Sequence, residues 1–345
     1  MAADTKIEWT DSTFNPWIGC TQISRGCDGC YAAVSTPART MKVGWGAHEP
    51  RHRTSAANWA LPKRWNAQAT AFFAQHGRRQ RVFCASLADW LDNAVDIEWL
   101  IDLLALVRLT PDIDWLMLSK RIGIWRSRLE AAAATLRGRL ERASEAAVAL
   151  LRWIERWLAG DVPANVWVGA TVVDQPEADR DIPRLLAVPA AKRFLSMEPL
   201  LGPVNLWRVI APHCERHPGE LDADGKCPVC EGRGIWEISE PLSKDEKALI
   251  RPGIDWVIIG GESGPGARPM HPDWARDLRD QCEAHHVPFL FKQWGEWAPY
   301  DRSRADGAVF ASPKSLDEPI QRFGKKLAGR LLDGREWNEV PHGAA

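Results

Sequence analysis

Asp255-Trp-Val-Ile-Ile-Gly-Gly-Glu262 is the stretch on which the fold turns. Its apolar run is continuous, rich in β-branched residues and too short for an ordinary helix. A strand of this kind is buried on both faces, as in a parallel sheet covered by helices. Working outward, the same pattern recurs over Val82–Leu87, Asp114–Lys120, Val166–Val172, Arg193–Glu198 and Pro288–Trp294. Amphipathic or Ala/Leu-rich segments at Ile97–Leu109, Glu177–Leu186 and Pro272–His285 lie between them and read as helices. With an N-terminal strand before Cys20, the expectation is an α/β fold: a full or partial parallel (β/α) barrel of the TIM type. One domain is expected over residues 1–345, carrying a helical insertion of one or two surface helices at 129–160 and a second insertion at 206–252.

The candidate strands finish on polar residues: Ser86 and Asp89, Lys120 and Arg121, Thr171, Glu198, Glu262 and Ser263, Lys292 and Gln293. In a barrel all strand C-termini share one face, where the chemistry sits. The structural alternative for each is a loop residue or a salt bridge, for instance Lys120 with Glu198 across neighbouring strands.

A formal net charge of −1 gives no global attraction to nucleic acid or membrane, so any basic surface has to be local. No apolar run reaches membrane-spanning length and the N-terminus lacks signal-peptide character, which points to a cytoplasmic protein. Of the eight cysteines, six fall in two tight groups, which in a reducing setting favours metal ligation over disulfides. The basic run His76-Gly-Arg-Arg-Gln-Arg81 reads as a solvated turn, Cys84 and Cys282 as core, and His271, His285 and His286 as surface or helix-end residues.

The first group is Cys20-Thr-Gln-Ile-Ser-Arg-Gly-Cys27-Asp-Gly-Cys30. Structural zinc normally takes four ligands, and here the fourth would come from His48, His52 or Cys84. A 4Fe–4S cube on three cysteines instead leaves one iron free for another ligand. Thiol redox chemistry or free core cysteines are the remaining readings. The second group, Cys214, His217, Cys227 and Cys230, has two-residue spacing within each pair and describes a Cys₃His zinc knuckle, with His213 as a substitute ligand. Its expected role is to fold an insertion too short for its own core.

Trp9-Thr-Asp-Ser-Thr-Phe-Asn-Pro-Trp17 with the cysteine run, Leu118-Ser-Lys-Arg121 and Phe194-Leu-Ser-Met-Glu-Pro-Leu-Leu-Gly202 carry a resemblance. So do Ile258-Ile-Gly-Gly-Glu-Ser-Gly264, Ala267-Arg-Pro269, Phe291-Lys-Gln-Trp-Gly295 and Gly329-Arg-Leu-Leu-Asp-Gly-Arg335. Together they resemble a phage- and bacterium-encoded three-cysteine-motif family of unassigned function. That family in turn looks like a divergent radical S-adenosylmethionine barrel, distantly similar to spore photoproduct lyase. The spacing here is six and then two residues rather than three and then two, and Gly29 stands where an aromatic usually precedes the last cysteine, with Tyr31 following it.

The resemblance implies a 4Fe–4S cluster on Cys20, Cys27 and Cys30 that binds S-adenosylmethionine and cleaves its sulfonium to a 5′-deoxyadenosyl radical. Gly260, Gly261 and Glu262 resemble the motif that grips the cofactor's amino group, but on a late strand; by position Ser86 and Asp89 suit that contact better. Lys120 or Arg121 would pair with the cofactor carboxylate or a substrate phosphate, and Glu198 and Glu262 with ribose hydroxyls or an amine. Lys292, Gln293 and Arg268 remain for the substrate, which the resemblance makes a nucleic acid or nucleotide. Two other classes stay open: a non-catalytic zinc-stabilised nucleic-acid-binding or adaptor protein with a partner protein, and a metal-dependent hydrolase or nuclease using Asp89, Glu198 and Glu262.

Overall fold

Seven strands pair in parallel and in chain order: β1 (Ser12–Thr13), β2 (Arg81–Cys84), β3 (Asp114–Ser119), β4 (Val166–Thr171), β5 (Lys192–Met197), β6 (Trp256–Gly260) and β7 (Phe289–Gln293). The computed structural model describes residues 5, 7–207, 209–210, 253–300, 310–311 and 319–341. An order without reversal means that the chain winds one way around the sheet, as in a barrel.

The sheet is strongly curled. The Trp9 ring lies 4.5 Å from Phe83 on β2 and 6.3 Å from Trp256 on β6. A flat sheet would hold strands four apart about 19 Å from each other, so the concave face has closed around Trp9. Closure stops there: β1 and β7 are the two ends of the order and do not pair with each other. The result is a half barrel, the partial form of the expected fold. On the β7 side, residues 337–339 run antiparallel along the strand, with Phe291 N–H donating to Trp337 O (3.0 Å) and Glu339 N–H to Phe289 O (3.2 Å).

Side chains alternate across each strand. Phe83, Leu116, Trp167, Phe194, Trp256, Ile258 and Leu290 fill the concave floor around Trp9. Val82, Trp115, Met117, Val168, Leu195, Val257, Ile259 and Phe291 face the opposite way into the larger core beneath the helices. Both faces are dry, which is why the strands read as continuous apolar runs.

The convex face is covered by α1 (Ile97–Arg108), α2 (Trp125–Arg137), α3 (Glu145–Leu158), α4 (Gln175–Leu186) and α5 (Pro272–Ala284). The expected surface helices of 129–160 are α2 and α3, and they lie deeper than expected. Their apolar stripes (Leu129, Ala132, Leu136; Leu150, Ile154, Trp157) are buried in the main core, and Trp125 stacks edge-on to Trp157 at 5.5 Å. An amphipathic helix reads as a surface element by its charged stripe, yet its other stripe belongs to the core. Cys214, His217, Cys227 and Cys230, with His213, lie outside the described residues. No helix among the described residues is long and apolar enough to cross a membrane.

At the N-terminal end of the sheet the basic run is no solvated turn. Arg78 donates to both carboxylate oxygens of Asp11 (2.7 and 2.8 Å), and Arg81 is buried on the concave side with its N–H donating to Asp11 (2.8 Å). This pairing pins the two-residue β1 to β2. Asp114, buried nearby, has its carboxyl pushed up to about 6 by burial, against the opposing pull of Arg79, Arg81, Lys192 and Arg78. The folded state therefore holds a proton between about pH 4 and pH 6 that the unfolded chain has lost, and stability declines as pH rises through that window. Asp114→Asn removes the decline. Urea unfolding should show the variant gaining on the wild type between pH 4 and pH 7 by up to roughly 3 kcal/mol, at 1.36 kcal/mol per pH unit. A difference independent of pH would refute the assignment.

Candidate functional site

Residues 19–31 cross the C-terminal ends of the strands. Gly19 N–H donates to Leu87 O (3.2 Å) and Tyr31 Oη to Ser86 O (3.0 Å), both just past β2. Arg121, past β3, donates Nη1–H to Cys20 Sγ (3.2 Å) and Nη2–H to Thr21 O (2.7 Å). Arg25 reaches Asp174, the N-cap of α4, at 3.4 Å. Arg268 donates to Asp28 (3.0 Å) while gripping Glu262 past β6. The cysteine loop thus roofs four strand ends of the half barrel.

Two glycines of the loop are required by this close approach. A Cβ on Gly26 would stand 2.7 Å from Val173, and one on Gly29 would stand 2.6 Å from the Glu262 carboxylate. Glu262 cannot yield, because its oxygens accept three bonds from Arg268 (N–H 2.8, Nε 2.8, Nη2 2.6 Å). An aromatic at position 29 has no room.

The loop's other anchor is a buried charge cluster. Asp89 is fully subscribed: it accepts from Leu91 N–H (2.9 Å), Ser119 Oγ (2.7 Å), Lys120 N–H (2.9 Å) and Arg121 Nη1 (3.2 Å). Asp92, entirely buried, takes Arg51 Nε at 2.7 Å. Arg51 continues to Thr21 Oγ1 (2.6 Å), Gly46 O (3.0 Å) and Glu49 O (2.7 Å). Two carboxylates thus balance two guanidiniums. Neither Arg51 nor Asp92 was visible as a site residue in the sequence, since they are 41 positions apart and belong to no motif.

The three thiols are free and half-buried. Burial, then the Asp89 charge, pushes the Cys20 thiol up to about 11 against the pull of Arg121. With the cluster already neutral, Cys20 stays protonated until a cation supplies the compensating charge. Cys27 Sγ lies 3.9 Å from Ser24 Oγ, and Cys30 sits against a small apolar patch of Ile18, Ala32, Ala38 and Leu87. As a donor set, three half-buried thiols on one anchored loop suit a soft metal centre. They are not drawn together: among the described residues, no three His, Cys, Asp or Glu side chains form a group that could hold a metal ion. Cys84 in particular is sealed in the helix-facing core and is no fourth ligand.

Beneath the roof, strand alternation directs Lys120, Thr171, Ser196, Glu198 and Lys292 to the concave face. Glu198 pairs with Lys292 (2.7 and 3.0 Å) and accepts from Gln293 Nε2 (2.9 Å), which also reaches Ser263 Oγ (3.2 Å). The Lys120–Glu198 pair does not form, because β4 separates their strands. Lys120 has no ion pair among the described residues and lies against Gly26 of the loop, its Cε 3.7 Å from where a Cβ would stand. Ser86 is held by Asn15 Nδ2 (3.0 Å). Burial works against ionisation of Glu262, but the bonds from Arg268 prevail and hold its carboxyl below the ordinary value. Gly261 has a structural reason of its own: a Cβ there would stand 1.9 Å from Trp294 O.

Asp89, Glu198 and Glu262 are each spent on a cation of their own and do not converge as a divalent-metal site. A protein-family model described as protein of unknown function (DUF5131) matches residues 4–341. No curated protein and no solved structure matches the chain.

Proposed function

The chain belongs to that family, whose description carries no activity, and we propose that it is an iron–sulfur enzyme of the radical S-adenosylmethionine type acting on a nucleic acid or nucleotide. The observation that carries this reading is the three-thiol loop laid over the C-terminal ends of a parallel half barrel, with Lys120, Glu198, Lys292 and Gln293 beneath it. Cys20, Cys27 and Cys30 would hold the cluster, whose chemistry when bound is one-electron reduction of the cofactor sulfonium. Lys120 is the cation available to a carboxylate or phosphate, since Arg121 and Lys292 are committed to Asp89 and Glu198. The Trp9 and Trp256 floor excludes water from the far end of the concave face. The nucleotide substrate rests on the resemblance to phage three-cysteine-motif proteins and, distantly, to spore photoproduct lyase.

A zinc-stabilised nucleic-acid-binding or adaptor protein is the second reading, favoured by one observation: the strand-end carboxylates Asp89, Glu198 and Glu262 are all engaged in ion pairs, as in a structural scaffold.

Anaerobic reconstitution followed by iron, sulfide and zinc analysis and electron paramagnetic resonance separates the two. The expected result is about four irons per chain, matching one cubane, lost in Cys27→Ala, with a reduced signal that S-adenosylmethionine perturbs. Uptake should release protons and strengthen as pH rises, because Cys20 must ionise. Zinc on the loop and no iron would leave a binding protein.

A further inference from the structure

Among the described residues, Cys20 is the thiol of the three that accepts a hydrogen bond from a cationic side chain. Arg121 Nη1–H points at its sulfur from 3.2 Å, and the guanidinium is nine-tenths buried. It has no freedom to turn toward a ligand. Asp89 holds it at 3.2 Å, Thr21 O takes its second arm at 2.7 Å, and Asp92 lies 4.0 Å from Nε. Asp89 is itself fixed by Leu91, Ser119 and Lys120.

Hydrogen bonds to ligand sulfurs set the potential of thiolate-held centres, and partners behind a ligand commonly govern metal affinity. We infer that Arg121 is a positioning residue: by donating to the Cys20 sulfur it raises the reduction potential of the centre on the cysteine loop and slows its metal loss. It does not contact substrate. This rests on the metal-centre reading above. Stabilisation of sulfur charge by a fixed buried donor favours the reduced, more negative state. The effect falls on one ligand of three, since Cys27 meets only a hydroxyl and no side chain among the described residues donates to Cys30.

The test compares wild type, Arg121→Lys and Arg121→Gln after anaerobic reconstitution, with iron content measured beside a redox titration followed by electron paramagnetic resonance. In Arg121→Gln the equilibrium constant for one-electron reduction should fall about tenfold, or 59 mV, with iron retained and released faster to a chelator. Arg121→Lys should recover part of the loss. An unchanged potential in Arg121→Gln at full iron content overturns the inference. If that variant loses its iron on reconstitution, Arg121→Met, which also removes the donor and the charge, is titrated instead, and a wild-type potential there overturns it. If wild type takes up no iron, the radical-enzyme reading fails separately, and cobalt(II) becomes the probe. The sulfur-to-cobalt band that disappears in Cys27→Ala should then shift in Arg121→Gln; an unshifted band overturns the inference, and a loop binding neither metal overturns both.

Discussion

Gly295→Ala is expected to cost about 4 kcal/mol or more, a large part of the 5–15 kcal/mol that holds a typical domain folded. Gly295 has φ +81°, a region that L-residues enter at a cost of about 1–2 kcal/mol. Its added Cβ would also stand 2.1 Å from Glu262 O and 2.7 Å from Gly261 C. Those are backbone atoms and cannot rotate away. The crossing is stitched on both sides, by Gly261 N–H to Gln293 O and Glu296 N–H to Glu262 O, each 2.9 Å. Relief would therefore have to break the ends of β6 and β7 and loosen Glu262, the partner of Arg268 beneath the cysteine loop. Thermal and urea unfolding measure the effect. A variant melting within a few degrees of wild type would mean that the crossing is looser than described.

The second large effect is expected for Asp92→Asn. The substitution keeps shape and the acceptor for Ala94 N–H (3.1 Å) but removes the charge opposite Arg51. Breaking one partner of a buried pair costs about 3–5 kcal/mol, because the other charge stays buried and uncompensated. Arg51 also carries Thr21 and Gly46, so the cysteine loop should loosen as stability falls. Combining Arg51→Gln with Asp92→Asn should cost less than the sum of the single changes, the mark of a direct pair. A single-variant loss below about 1 kcal/mol would show that the pair is not the loop's anchor.

Strands and helices were legible because both sheet faces are dry: each of the six long strands reads as an apolar block, and each helix between them shows one apolar stripe. How far the barrel closes was left open. Closure depends on Trp9 filling the concave face and on residues 337–339 lying along β7, contacts between distant segments that no local pattern records. The same reason separates the parts of the site. Cysteine spacing lies within eleven positions and is read at once, whereas the partners of Arg121 and Glu198 depend on strand order. Sequence alone offered a Lys120–Glu198 salt bridge as an alternative because it found the strand at Val166–Val172 but not the order that puts β4 between them. It offered Asp89 to a ligand because three of its four donors, Ser119, Lys120 and Arg121, come from elsewhere in the chain. Gly260-Gly-Glu262 looked like a cofactor grip, and the structure gives Gly261 a plainer reason in the crossing with Trp294.

The strip of chain at 337–339 has a consequence for synthesis. The β7 edge that it covers leaves the ribosome more than forty residues earlier. At roughly 5–20 residues per second, that edge remains bare for several seconds with its backbone donors and acceptors unclaimed. Nascent copies on neighbouring ribosomes would meet each other through it. Yield of native protein should therefore depend on translation speed through the last fifth of the message and on chaperones that shield strand edges, more than on the stability of the finished fold.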